Sequence, residues 1–247
     1  MNKRNEFILG ILGGLGPMSS VYFYEMLTSH TKVSCDQEHI NILLSSHAQT
    51  PDRTAYIMGE IADDPAVCMI EDAETLIAAG ADLLVIPCNT AHYFYDRVRN
   101  AVDCPMINII YETVAALHRA GTKKAGILAT DGTIYSGAYQ NMCERFGIAC
   151  EVPSPAMQKK LMNLIYGDIK TGASVDLMTF GEIVSELRGK DCEHIILGCT
   201  ELSLIKRSER LGSYFVDSTE ILAWRTILAC GKDPIGFEGL PSYGIPE

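Results

Sequence analysis

Apolar positions along the chain follow two alternating patterns. Short runs rich in Ile, Val and Leu occur at Phe7 to Leu12, Ile40 to Leu44, Leu83 to Ile86, Met106 to Ile110, Ala125 to Ala129 and His194 to Leu197, separated by longer stretches of helical spacing. Continuous apolar runs mark strands buried on both faces, and strands that alternate with helices build parallel sheets covered on two sides. The predicted class is therefore α/β. Met18 to Thr31 follows Pro17, a favoured first helical residue, and brings Val21, Tyr24, Glu25 and Thr28 onto one face of an expected helix.

The pattern also repeats. Gly10-Ile11-Leu12-Gly13-Gly14-Leu15-Gly16 aligns with Gly126-Ile127-Leu128-Ala129-Thr130-Asp131-Gly132 at a spacing of 116 residues, and Cys88 and Cys199, each ending an apolar run, are 111 apart. Two motifs in the same order at nearly one spacing favour a duplicated α/β unit, although buried strands that run into glycine turns resemble one another without duplication. The expected division is residues 1–115 plus 214–247 as a first α/β domain and 116–213 as a second. A helix from about Ile109 to Ala120 would bridge them, and the segment from Val216 would return to pack on the first.

Composition narrows the classes of function. At 247 residues, 47% hydrophobic and 21% charged, the chain suits a globular enzyme of one large or two small domains. A net charge of -11 with no basic run argues against nucleic acid. No apolar stretch approaches the roughly 20 residues a membrane helix needs, and the run after Met1-Asn2-Lys3-Arg4 breaks at once into glycines, so a cytoplasmic protein with no membrane partner is expected. Nine cysteines without a Cys-x-x-Cys fit neither a zinc site nor a disulfide framework. Reduced thiols and no metal are expected.

Among these cysteines two stand in matching contexts, Ile86-Pro87-Cys88-Asn89-Thr90-Ala91-His92 and Leu197-Gly198-Cys199-Thr200-Glu201-Leu202. Free cysteine is commonly a small buried hydrophobe, and the other seven are read that way. Cys88 and Cys199 instead fall where α/β sheets bind ligands, at strand carboxyl ends, with hydroxyl and amide groups following. Helices starting there would lower each thiol from its usual pKa of about 8.5, and two thiols facing one substrate suit proton transfer on both sides of a carbon. His92, one helical turn beyond Cys88, could tune that thiol, or cap and pack as histidines more often do. Gly13-Gly14-Leu15-Gly16-Pro17 is a strand-to-helix turn fit for an anion, but Ser19 breaks the dinucleotide pattern. Arg53 follows the turn Thr50-Pro51-Asp52 and could clasp a carboxylate. Lys170 is unremarkable by itself.

Taken together, Gly13-Gly14-Leu15-Gly16-Pro17, Pro51-Asp52-Arg53-Thr54, the Cys88 and Cys199 segments, and Leu128-Ala129-Thr130-Asp131-Gly132-Thr133 resemble the aspartate/glutamate racemase family, in its aspartate racemase branch. The resemblance spans nearly the whole chain. It implies two pseudo-symmetric α/β domains, each a parallel sheet flanked by helices, with the active site in the cleft between them. It implies no pyridoxal phosphate, no other cofactor, and a homodimer. Cys88 and Cys199 would be the acid/base pair, Cys199 working on the L-enantiomer and Cys88 on the D-enantiomer. Asn89, Thr90 and Thr200 would hold the α-carboxylate and amine, Arg53 and Lys170 the substrate carboxylates, and Thr130 would complete the binding residues. The chain departs from many relatives at Leu15, where methionine is usual, and at Leu222, where histidine is usual; Glu201 replaces the histidine of the glutamate racemase branch.

The expected function is cofactor-independent racemisation of an acidic amino acid, aspartate before glutamate. Three alternatives stay open: a racemase of broader specificity, a hydrolase or decarboxylase using one thiol near His92, and a silent binding protein for a small dicarboxylate.

Overall fold

In the computed structural model, which describes residues 6–241, strands pair into two parallel sheets of four. The first contains β1 (Ile8–Gly13), β2 (Asn41–Ser46), β3 (Leu83–Val85) and β4 (Met106–Ile107) in the order β2-β1-β3-β4. The second contains β5 (Lys124–Leu128), β6 (Ala149–Glu151), β7 (His194–Leu197) and β8 (Phe215–Asp217) in the order β6-β5-β7-β8. The two orders are the same path drawn twice, in agreement with the expected two-unit α/β fold. Helices of the first half are α1 (Pro17–Ser29), α2 (Arg53–Ile57), α3 (Pro65–Ala78), α4 (Tyr95–Ala101) and α5 (Ile109–Arg119). Those of the second are α6 (Asp131–Tyr135), α7 (Ala138–Arg145), α8 (Pro155–Met162), α9 (Leu177–Arg188), α10 (Thr200–Glu209) and α11 (Ser218–Ala229). None of the described helices is long and apolar enough to cross a membrane.

Strand pleating explains how the core is divided. Side chains alternate between the faces of a strand, so Leu9, Ile11, Leu83, Val85, Ile127 and Ile196 enter one core shared by both halves, with α1, α5 and α11. Leu84, Ile86 and Cys88 point into a separate layer under α3 and α4. Their counterparts Ile195, Leu197 and Cys199 do the same under α8 to α10. Both thiols thus continue the same pleat, on quasi-equivalent strands. The repeat extends to the glycines. A Cβ on Gly10 would come within 2.6 Å of Leu84 Cδ2, and one on Gly126 within 2.9 Å of Leu187 Cδ1 and 3.3 Å of Ile195 Cγ1. Each glycine lets a helix lie directly on the central strand of its sheet.

Local sequence accounts for most boundaries. The Asn108 side chain accepts from the backbone N–H groups of Ile110 and Tyr111 and starts α5, so the run expected as a strand to Ile110 is a strand only at Met106–Ile107. Two strands were not expected, β6 and β8, each three residues long and at a sheet edge; runs that short carry no readable alternation. The first helix is present, but turned from its expected face. Phe23, Met26 and Leu27 are buried, whereas Val21 is 53% and Tyr24 46% exposed, with Glu25 and Thr28 also outside. Docking of α1 against α11 sets that rotation. The expected return to the first unit at residue 214 meets a divided arrangement: β8 pairs in the second sheet, while α11 packs on α5 and α1.

Candidate active site

Cys88 and Cys199 follow β3 and β7 directly, at the carboxyl ends of the two sheets, where loops of both halves meet. One pocket is lined by Cys88, Asn89, Thr90, Asp52, Arg53 and Leu15 from the first half, and by Thr130, Tyr166, Lys170, Cys199, Thr200 and Glu201 from the second. The two cysteines and the six binding residues that the resemblance implies, Arg53, Asn89, Thr90, Thr130, Lys170 and Thr200, therefore come together. The pocket adjoins a wider cleft bounded by Gly14, Gly16 and Pro17 and shared by Arg53, Lys170 and Glu201.

The thiols are nearly sealed, Cys88 at 5% exposure and Cys199 at 4%. The expectation that helix N-termini hold both below the usual thiol range is reversed. Burial pushes Cys88 up, against the neighbouring Arg53 cation, which favours the thiolate. Cys199 is raised further, by burial and then by the Glu201 carboxylate. The Ala91 N–H beside Cys88 and the Glu201 N–H beside Cys199 act the other way, but Cys88 leads only into a five-residue 3-10 turn, Thr90–Phe94. At Cys88 desolvation outweighs so short a helical dipole, and at Cys199, which precedes the ten-residue α10, desolvation and the Glu201 carboxylate together outweigh a longer one.

Several predicted binding residues have partners of their own. The Asn89 amide donates to Ser218 Oγ at 2.9 Å, and its carbonyl oxygen accepts from the Tyr139 hydroxyl at 2.6 Å. Thr90, Thr130 and Thr133 form a hydroxyl triangle with sides of 2.9, 3.0 and 3.1 Å, which joins the two halves. Arg53 is buried; it donates to the carbonyl oxygens of Thr50, Pro51 and Leu15, and its Nε has no hydrogen-bond partner among the described residues. Lys170 ends a π-helical turn, Asn163–Ile169, with its ammonium 3.6 Å from the Tyr166 ring centre and 4.0 Å from Asp52 Oδ2. Burial alone would lower its pKa, but Glu201, Tyr166, Cys199 and Asp52 reverse the sign and raise it.

His92 does not face a thiol. Its Nε2 accepts from the Ile109 N–H at 3.2 Å, so Nδ1 carries the proton and donates to the Cys88 carbonyl at 2.8 Å. Burial depresses its pKa to about 4. The ring is a neutral clamp on the Cys88 backbone. The glycine turn is spoken for as well: Gly14 N–H donates to Ser20 Oγ, and a Cβ at Gly16 would lie 2.9 Å from Glu201 Oε1, so the carboxylate beside it is the protein's own.

Sequence reasoning missed Glu201, Asp52 and Tyr166 as parts of the site. Glu201 was in view, two residues after Cys199, but only as a branch marker. Its closeness to a thiol, 2.9 Å from Cys199 Sγ to Oε2, depends on the first turn of α10. Tyr166 carries no local signal; it reaches Asp52 across the cleft, at 3.3 Å.

Residues 12–226 match the family described as Asp/Glu/Hydantoin racemase. A broad specificity amino-acid racemase of Bacillus subtilis is 26% identical over 225 residues, spanning 89% of this chain and 96% of that one. A glutamate racemase of Aquifex pyrophilus is 33% identical over 164 residues, 62% of this chain and 61% of its own. Among solved structures, aspartate racemase of Picrophilus torridus superposes with a TM-score of 0.80 at 27% identity, covering 92% of this chain and 96% of that chain.

Proposed function

The chain belongs to the Asp/Glu/hydantoin racemase family, and from that premise we propose that it interconverts the enantiomers of an acidic amino acid, aspartate before glutamate, with Cys88 and Cys199 as the two bases. The observation that carries this reading is the pair of buried thiols on one pleat of two quasi-equivalent sheets, opening into a single pocket.

In the proposed reaction the α-carbon lies between the sulfurs. One thiolate takes the α-proton, the C–H electron pair stays on carbon and spreads into the α-carboxylate, and the opposite thiol delivers its proton to the other face. The S–H pair left behind makes that sulfur the new thiolate. Such a carbanion needs fixed donors in a site without bulk water. In this reading the hydroxyls of Thr90, Thr130 and Thr200, which line the pocket, and the backbone N–H groups beside each thiol take the α-carboxylate and amine. Arg53 and Lys170 supply positive charge for a second carboxylate, which is the argument for an acidic side chain.

A second reading, a broader substrate range, is favoured by the end-to-end match to the broad specificity racemase and by the wider adjoining cleft. A thiol hydrolase is disfavoured because both His92 nitrogens are taken by backbone groups. Proton NMR of L- and D-aspartate incubated separately in D₂O tests the proposal. Loss of the α-proton signal, with growth of the other enantiomer followed by chiral chromatography of the same samples, is expected, both falling about a thousandfold or more in Cys88→Ser and in Cys199→Ser. No exchange with aspartate, glutamate or a panel of other amino acids would sink it.

A further inference from the structure

The two halves repeat closely, yet the repeat breaks two residues after each thiol. Thr90 stands at that position in the first half, with its hydroxyl held by Thr130 and Thr133. Glu201 stands there in the second. Cys199 Sγ donates to Glu201 Oε2 at 2.9 Å, and Thr200 Oγ1 lies 3.4 Å from the same oxygen. Glu201 is only 6% exposed. A carboxylate so placed accepts a hydrogen bond from a thiol and repels a thiolate. Cys88 instead has the Arg53 cation as its strongest charged neighbour.

We propose that Glu201 sets the polarity of the thiol pair: its carboxylate keeps the proton on Cys199, so that Cys88 is the first of the two to ionise. The proposal rests on the two-thiol reading for its catalytic meaning. The charged and titratable groups around Cys199 are Glu201 on α10, Lys170 after the π-helical turn, Asp52 and Arg53 at the start of α2, Tyr166, and Cys88 after β3. Of these, Glu201 alone hydrogen-bonds the sulfur through its side chain among the described residues. Turnover of the enantiomer whose α-proton faces Cys88 then begins from this resting state, with Cys88 as base and Cys199 as acid, whereas the other enantiomer needs the proton moved from Cys199 to Cys88 first. After the Cys199 S–H bond breaks and its proton joins the substrate carbon, the electron pair remains on sulfur opposite Glu201, and this repulsion drives Cys199 to recover a proton.

Because enantiomers have equal free energy, kcat/KM must be the same in both directions, so this polarity shows in thiol ionisation and in the pH profile. The experiment follows the ultraviolet absorbance of the Cys199 thiolate against pH, without substrate, as the difference between Cys88→Ser and Cys88→Ser/Cys199→Ser proteins. In the same pair carrying Glu201→Gln, the Cys199 ionisation should move down by about one to three pH units. An unchanged or raised ionisation would overturn the proposal. If Glu201→Gln does not fold, the infrared S–H stretch of the native protein that disappears in Cys199→Ser decides: a band shifted down by a strong acceptor supports it, and one at the position of an unbonded thiol overturns it. These readouts need no amino acid, so failure of racemisation and failure of the Glu201 assignment are separate results.

Discussion

At the residue scale, burial governs the chemistry. With both thiols raised, a base that must lose its proton is scarce at neutral pH, and kcat/KM for racemisation should still be climbing at about pH 8.5. A pH–rate profile that levels off well below that point would contradict it. His92 makes a separate, stability-linked prediction. Its folded-state pKa of about 4 lies below the ordinary 6.5, so the unfolded chain binds the extra proton between those values. The stabilisation is complete above about 6.5 and is lost as pH falls toward 4, amounting to about 3 kcal/mol. Urea titrations across that window should show the loss in the native chain and not in His92→Gln.

Elements are set by caps, glycines and pleat. Asn108→Ala removes the acceptor for two N–H groups at the start of α5 and should cost about 1 kcal/mol by chemical denaturation. Gly198 is a close approach: a Cβ there would lie 2.9 Å from Tyr139 Cε2 and 3.3 Å from Ala129 Cβ. Gly198→Ala should destabilise by about 1–3 kcal/mol and disturb Cys199 next to it, read as lost stability together with lost racemisation. The apolar runs made β1, β3, β5 and β7 legible, since central strands of a parallel sheet are buried on both faces. The edge strands β6 and β8 escaped notice because a run of three residues is too short to show a strand period, even where, as at Phe215 and Val216, it is apolar and buried.

For the whole molecule, the site exists only where the halves touch. Gly132 on α6 allows that contact, as an added Cβ would sit 2.9 Å from Thr54 Cα on α2. Gly132→Ala should therefore widen the cleft. The expected signature is a fall in kcat/KM of about tenfold to a hundredfold with a much smaller change in the urea midpoint. A larger loss of stability than of rate would place the effect inside the second half instead.

The chain by itself determined the parallel α/β sheets and the matched contexts of Cys88 and Cys199, which follow from apolar periodicity and short motifs, both local properties. That Arg53, Asn89, Thr90, Thr130, Lys170 and Thr200 join them at one cleft was legible only through the resemblance to a family. Tertiary structure alone decided the rest. The face α1 buries depends on α11, nearly two hundred residues later in the chain. The direction of the thiol shifts, the neutral clamp of His92, and the contact between Glu201 and Cys199 depend on how completely water is excluded and on which charges meet across the cleft. Desolvation and charge proximity are sums over neighbours brought from both halves, and no short stretch of sequence contains them.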